Sequence, residues 1–291
     1  ASAPHSAEAL LGKARVFNEQ GQYEEAEAMY EQAIALRPDY WPGYRELALF
    51  YYLRGRYLDA VTQFEIVANL APLNALGYTG MGSSYYNLGL LEQARHSWEN
   101  ALEISDDYPT NWNLGTLNFF LGDYSGAATA LEKALSLDST DYLAWSNLAM
   151  AYHHLPNQTS SFEKAAHNTI DLVRKLLDLN PKDDFARARL AGIHIMLGDT
   201  ATAHTYLAPY TGDVPADLSG ETIFEIATVW ESLGHRDRAF TWLRAALERG
   251  YTHTELFRYP GLADLREDSR FLDLILKPRP ARPAAIATAA P

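Results

Sequence analysis

The sequence predicts an all-α fold, a right-handed α-solenoid or superhelix of about seven helix pairs with a C-terminal capping segment. Three observations support this prediction. Six glycines are each followed by an alanine five residues later, and the first four glycines of these pairs are 34, 34 and 33 residues apart. Apolar stripes at helical spacing lie between them. The glycine–alanine pairs are Gly21/Ala26, Gly55/Ala60, Gly89/Ala94, Gly122/Ala127, Gly198/Ala203 and Gly234/Ala239.

The second unit, residues 41–74, shows how each element is specified. Pro42 suits the first turn of a helix, where its missing N–H has no helical partner to lose. Gly55 ends that helix because glycine readily adopts the left-handed cap conformation, and Pro72 closes the unit. The apolar stripes of its two helices are Tyr44, Leu47, Ala48 and Tyr51, then Ala60, Phe64, Val67 and Ala68. The unit therefore reads as an antiparallel helix hairpin.

Small residues recur inside the first helix of each unit, directly after a Leu, Met or Ile. Large side chains at these positions would push neighbouring helices apart, so small residues allow close packing. The positions are Ala48, Gly82, Gly115, Ala149, Ala191 and Ala227.

Taken together, these residues resemble the tetratricopeptide repeat, in the order Leu, Ala or Gly, aromatic, Gly, Ala, aromatic, Ala, Pro. Residues 7–40, 41–74, 75–107 and 108–141 fit best, and residues 142–181, 182–211 and 218–250 fit less well. We therefore assign residues 1–250 to a repeat array. In this family the first helix of each unit lines the concave groove, so the resemblance implies a protein-binding scaffold.

The fifth and sixth units depart from the pattern. The interval from Gly122 to Gly198 is 76 residues, so about eight are extra. The fifth unit lacks the turn glycine and is predicted to have a long second helix reaching about Leu179. The sixth ends early at Pro209, and residues 211–219 are predicted to form a loop.

Two further segments follow the array. Residues 251–276 resemble the end segment of tetratricopeptide arrays attached to bacterial serine/threonine kinases and signalling regulators, which implies a helical cap. Its apolar residues are Leu256, Leu262, Leu265, Phe271, Leu272 and Ile275, which can cover the last repeat. Residues 277–291 are rich in proline and alanine, so we expect a flexible or extended tail.

Composition excludes several classes of partner. Lysine and arginine total 24 against 37 acidic residues, a net charge of −13, which disfavours nucleic acid and anionic membranes. The chain has no cysteine, which excludes disulfides and thiol chemistry and favours an extracytoplasmic location, with the cytoplasm as the alternative. It begins Ala-Ser-Ala-Pro, which we interpret as a processed mature form or a trimmed chain.

The residues that face the groove are the candidate site. They lie on first helices, opposite the core stripe, and aromatic residues not needed for packing suggest a peptide groove. The alternative is that a tightly wound array buries part of this face against itself. The candidates are Leu49, Tyr52, Tyr86, Asn87, Trp112, Phe119, Phe120, Met150, His153 and Phe185.

Three other motifs have simpler explanations than a dedicated binding site. Arg15 and Arg45 stand where some family members carry a clamp for two carboxylates, but Leu11 and Leu49 do not complete that clamp. His153 and its neighbour point about 100° apart on a helix, so a groove histidine is favoured over a metal site. Asn157 begins an Asn-Gln-Thr glycosylation acceptor, which matters only in a glycosylating secretory pathway.

The sequence contains no phosphate loop, nucleophile motif or metalloprotease motif. We therefore predict no enzyme, no catalytic residue, no metal and no cofactor. The predicted function is a protein–protein interaction scaffold that binds a peptide or partner segment. The alternatives are a sensor or regulatory region of a larger bacterial signalling protein, or a structural protein that self-assembles end to end. The tail could take part in self-association by occupying its own groove or that of a neighbour.

Overall fold

The computed structural model describes residues 6–276, and within them all regular structure is helical, with no β-strand. The chain forms two compact units, whose described parts are residues 6–114 (unit 1) and 115–276 (unit 2). Unit 1 contains α1 (Ala7–Glu19), α2 (Tyr23–Leu36), α3 (Trp41–Leu53), α4 (Tyr57–Leu70), α5 (Leu76–Asn87), α6 (Leu91–Ile104) and the first half of α7 (Tyr108–Leu121).

Unit 2 contains the second half of α7 and the helices that follow it. These are α8 (Tyr124–Leu137), α9 (Tyr142–His153), α10 (Thr159–Leu179), α11 (Asp184–Met196), α12 (Thr200–Leu207), α13 (Gly220–Ser232), α14 (Arg236–Glu248), α15 (His253–Arg258), α16 (Ala263–Arg266) and α17 (Ser269–Leu276). Helices α1 to α14 form seven consecutive pairs, which confirms the predicted fold class.

The turns within the pairs have the predicted backbone conformation. Seven glycines have φ between +72° and +88°, and they include all six glycines of the repeating pattern. In the fifth pair, Asn157 takes this role with φ of 60°, since asparagine tolerates the left-handed region better than most residues. The predicted long second helix of that pair is α10, which ends at Leu179.

The small residues on first helices lie where helices pack closely, as predicted. A Cβ added to Gly115 would lie 2.6 Å from Leu131 Cγ on α8. Ala149, Ala191 and Ala227 are fully buried. Side chains from neighbouring helices therefore fill the space that a larger residue would need.

The segment after α14 packs onto the end of unit 2. Leu256, Leu262, Leu265 and Phe271 join one core with side chains of α13 and α14. Leu272 was expected in this core but is 56% exposed, because the period of α17 turns it outward and brings Leu274 inward. The predicted tail, residues 277–291, lies outside the described residues.

Candidate functional site

Unit 1 has a shallow cavity on the face made by its first helices. Helix α3 lies beside α1 and α5, so these helices form one continuous face. The cavity holds about 200 Å³ and is called the unit-1 groove. Its lining residues are Arg45, Leu49, Tyr52, Phe64, Leu76, Thr79, Gly80 and Ser83. Two of the ten candidates from the sequence, Leu49 and Tyr52, therefore line this cavity.

A hydrogen bond fixes the phenol at one side of the unit-1 groove. Asn87 Nδ2 donates to the Tyr52 hydroxyl at 3.1 Å and to the carbonyl of Ser83 at 2.9 Å. Burial raises the pKa of Tyr52, so the phenol stays protonated at neutral pH. Asn87 thus supports the groove by orienting Tyr52, and the groove keeps a neutral hydroxyl at its edge.

The two arginines considered for a carboxylate clamp share one acid. Arg15 Nε lies 3.0 Å from Glu46 Oε2, and Arg45 Nη1 lies 3.6 Å from Glu46 Oε1. Because Glu46 already pairs with both guanidinium groups, the structure gives no support to a clamp at these positions.

Unit 2 has a second cavity of about 200 Å³, called the unit-2 groove. It is lined by the first helices of successive pairs and by the segment that follows α15. The main lining residues are Phe119 of α7, Met150 and His153 of α9, Arg189 of α11, Glu225 of α13, and Tyr259. Phe119, Met150 and His153 are candidates from the sequence, while the other three are not.

A buried ion pair lies in the wall of the unit-2 groove. Arg189 Nη2 is 2.6 Å from Glu225 Oε1, and the two side chains are 12% and 10% exposed. Burial raises the pKa of Glu225, and the adjacent guanidinium opposes that rise. Among the described residues, neither Arg189 Nε nor the hydroxyl of Ser146 has a hydrogen-bond partner. The wall of this mainly apolar groove therefore contains an ion pair with no net charge and two hydrogen-bond donors without a partner in the part of the chain that the structure describes, Arg189 Nε and the Ser146 hydroxyl.

Tyr259 packs among the aromatic residues of the unit-2 groove. Its ring centroid lies 5.3 Å from Phe224, 6.3 Å from Phe119 and 6.4 Å from Phe120. Its hydroxyl is 3.5 Å from Met150 Sδ, which is within range of a weak hydrogen bond. Burial raises the pKa of Tyr259 to about 12. The side chain is thus a neutral phenol held among aromatic rings.

His153, the last residue of α9, and His154, which follows it, contact different neighbours. The His154 ring stacks on Tyr124 with centroids 4.3 Å apart, whereas His153 lies 5.2 Å from Phe162. Burial, and then the adjacent His153, lowers the pKa of His154. Within the described part of the chain, no three His, Cys, Asp or Glu residues are grouped as metal ligands.

The remaining candidates have varied surroundings. Tyr86 packs 6.0 Å from Trp98 of α6, and Phe185 lies 5.5 Å from the Arg189 guanidinium. Trp112 is half-buried, and its Nε1 has no hydrogen-bond partner in the described region. Phe119 and Met150 are only 4% and 8% exposed, so a ligand would reach them only from within the cavity. Binding by any candidate stays a prediction.

Sequence reasoning missed Arg189, Glu225 and Tyr259. Glu225 interrupts an apolar run on α13, and such a charge signals a buried partner. Tyr259 has no comparable signal, because its groove contacts come from residues far away in the chain.

These helix pairs and grooves define a helical repeat protein. Comparison with known families gives the same class of protein. Tetratricopeptide repeat models match residues 7–40, 45–110 and 113–167, which together make up more than half of the chain. The chain belongs to the tetratricopeptide repeat family, whose fold supports protein–protein interaction. No curated protein matches the sequence.

Solved structures show the same fold. A tetratricopeptide repeat protein from Parabacteroides merdae is 17% identical with a TM-score of 0.64, and the match covers 87% of this chain and 96% of that one. One chain of the APC/C hetero-tetramer Cut9–Hcn1 matches at 18% identity and a TM-score of 0.55, over 84% of this chain and 43% of that chain. YrrB, described as a TPR protein with an unusual peptide-binding site, matches at 16% identity and a TM-score of 0.50, over 72% and 97%.

Within the described residues, no helix combines the length and apolar character needed to cross a bilayer.

Proposed function

We propose that the protein is an interaction scaffold that binds an extended peptide segment of a protein partner in the unit-1 groove. The observation that supports this most directly is the cavity between α3 and α5. Leu49, Phe64 and Leu76 give it apolar walls, while Tyr52 and Arg45 place polar groups at its edge. Ligand sites commonly combine apolar walls with a few placed polar groups.

The ligand class follows from this geometry. An apolar side chain of a peptide would fill the cavity, and its backbone would meet the hydroxyl and guanidinium at the edge. YrrB, a structural neighbour, is described as having a peptide-binding site, and we propose the same class of ligand here.

A selection experiment tests this proposal. Linear peptides selected from a random phage-displayed library on the immobilised chain would be titrated by fluorescence anisotropy against wild type, Leu49→Asp and Leu58→Asp. Leu58 of α4 is 65% exposed and does not line the groove, so it is the matched control. A charge in the apolar wall is expected to cost about 2 kcal/mol, roughly a 30-fold loss of affinity.

The comparison between Leu49→Asp and the control Leu58→Asp shows whether the unit-1 groove is the binding site. Leu58→Asp is expected to leave affinity within about twofold of wild type, because exposed substitutions away from an interface change little. If Leu49→Asp keeps the helical circular dichroism of wild type and binds the selected peptides equally well, the unit-1 groove is not the binding site.

Other predictions from the sequence remain to be tested. The absence of cysteine supports an extracytoplasmic location, which fractionation of source cells would test. The alternative that this chain is a region of a larger signalling protein is tested by sequencing the complete gene that encodes it. Self-association through residues 277–291 is tested by light scattering before and after their deletion.

A further inference from the structure

The unit-2 groove already holds an aromatic side chain from its own chain. Tyr259 lies between α15 and a short 3₁₀ turn, Pro260–Leu262, in a segment outside the seven helix pairs. Its backbone is extended, with φ of −61° and ψ of 120°, as the proline that follows it favours. The ring enters a face that helices α7, α9, α11 and α13 line in part. A short extended aromatic–proline segment is thus seated where a peptide ligand would bind.

The contacts of Tyr259 suit a ligand residue. Its ring is surrounded by Phe119, Phe120 and Phe224 in tilted or edge-on geometries, which aromatic pairs prefer. Its hydroxyl reaches the sulfur of Met150, a flexible side chain that adapts to different shapes. The seat therefore selects a planar ring with one polar end.

Leu256, Leu262 and Leu265 are fully buried and anchor the segment that carries Tyr259 in the core with α13 and α14. One arginine holds the backbone around Tyr259 itself. Arg266 Nη1 donates to the carbonyl oxygens of Phe257 at 3.0 Å and Tyr259 at 2.9 Å. Beside the ring, the cavity of about 200 Å³ stays open, with the donors of Arg189 and Ser146 in its wall. The internal segment thus fills only part of the groove, and a longer peptide would gain contacts that Tyr259 lacks.

We propose that the unit-2 groove binds partner peptides that present an aromatic residue followed by proline, and that the Tyr259 ring competes with them as an internal occupant. This inference rests on the proposed function as a peptide-binding scaffold. A tethered segment has an effective concentration in the millimolar range, so it excludes weak ligands. Binding at this groove therefore requires a partner that displaces Tyr259.

The probe for the test is a fluorescein-labelled peptide with the sequence of residues 256–265, Leu-Phe-Arg-Tyr-Pro-Gly-Leu-Ala-Asp-Leu. Its affinity would be measured by anisotropy for the full chain and for Tyr259→Ala. Phe257→Ala is the matched control, since Phe257 belongs to the same segment but is exposed. We expect Tyr259→Ala to bind the probe at least about tenfold more tightly than wild type or the control.

A second variant covers the case in which Tyr259→Ala fails to fold. Arg266→Met removes the donor that holds the turn and leaves every groove residue in place, so it is also expected to bind the probe more tightly. A probe in which its tyrosine is replaced by alanine is expected to bind none of these chains.

Either of two results would overturn the inference. One is equal affinity of the probe for wild type and for every folded variant. The other is equal binding of the tyrosine-free probe. The Leu49→Asp experiment tests the unit-1 groove with separately selected peptides. A negative result with the probe therefore does not contradict peptide binding in the unit-1 groove. A negative result with Leu49→Asp does not affect how probe binding to the unit-2 groove is interpreted.

Discussion

Gly82 of α5 provides a sharp test of how closely the helices pack. An alanine Cβ at this position would lie 2.5 Å from Trp98 Cδ1 and 2.8 Å from Trp98 Cε2 on the neighbouring helix α6. Trp98 is only 3% exposed, and its indole ring is rigid. The ring or the helix must therefore move to accept a single methyl group.

The size of the effect comes from two opposing contributions. Replacing glycine by alanine inside a helix stabilises it by about 0.5–1 kcal/mol. Overpacking a well-filled core costs about 1–3 kcal/mol. Gly12 of α1, also in unit 1, separates the two, because among the described residues no heavy atom lies within 4 Å of a Cβ added there. The difference between the two variants should therefore equal the packing cost, about 1–3 kcal/mol.

Urea unfolding followed by circular dichroism measures both variants. Gly12→Ala is expected to unfold at a higher urea concentration than wild type, and Gly82→Ala at a lower one. If Gly82→Ala is as stable as Gly12→Ala, the indole yields at no cost and the close-packing argument fails.

Two further predictions concern charges in unit 2. Glu225→Gln leaves the buried Arg189 without a carboxylate, so thermal unfolding should show a loss of about 3–5 kcal/mol. The double change Arg189→Met with Glu225→Leu should recover most of this loss, and a single variant as stable as wild type would contradict the reasoning. Burial lowers the pKa of His154 below its ordinary value of 6.5, so the unfolded chain binds that proton more strongly. Stability present above pH 6.5 is then lost as the pH falls through the folded pKa of His154. Between about pH 7 and pH 5, His154→Gln should therefore lose less free energy of unfolding than wild type or the control His96→Gln, whose histidine is exposed.

The sequence was sufficient for the fold because repeats specify structure locally. The turn glycines, the stripes and the small residues act within one pair or between adjacent pairs, and α1 to α14 follow them closely. Even the irregular fifth pair was predictable in outline, since the missing glycine and the added residues lie together in the chain. Asn157 then takes the backbone conformation that the glycines take elsewhere.

The site was predictable only in part. Helical spacing placed Leu49 and Tyr52 on a cavity because both lie on one face of a single helix. The same reasoning placed Phe119 and Met150 at the unit-2 groove but could not show that they are buried there. Tyr259 lines that groove through contacts that no local pattern encodes, and only the folded chain brings them together.

The contact between Tyr259 and Met150 joins residues 109 positions apart, which changes how unit 2 should unfold. In a linear array each pair touches only its neighbours, so opening can begin at an end and spread stepwise. Here the last segment reaches back to Phe119 and Phe120 on the first helix of the unit. Opening of the last segment therefore also removes aromatic contacts from the initial helix. Amide hydrogen exchange across unit 2 should therefore approach a single cooperative opening rather than a gradient of fraying.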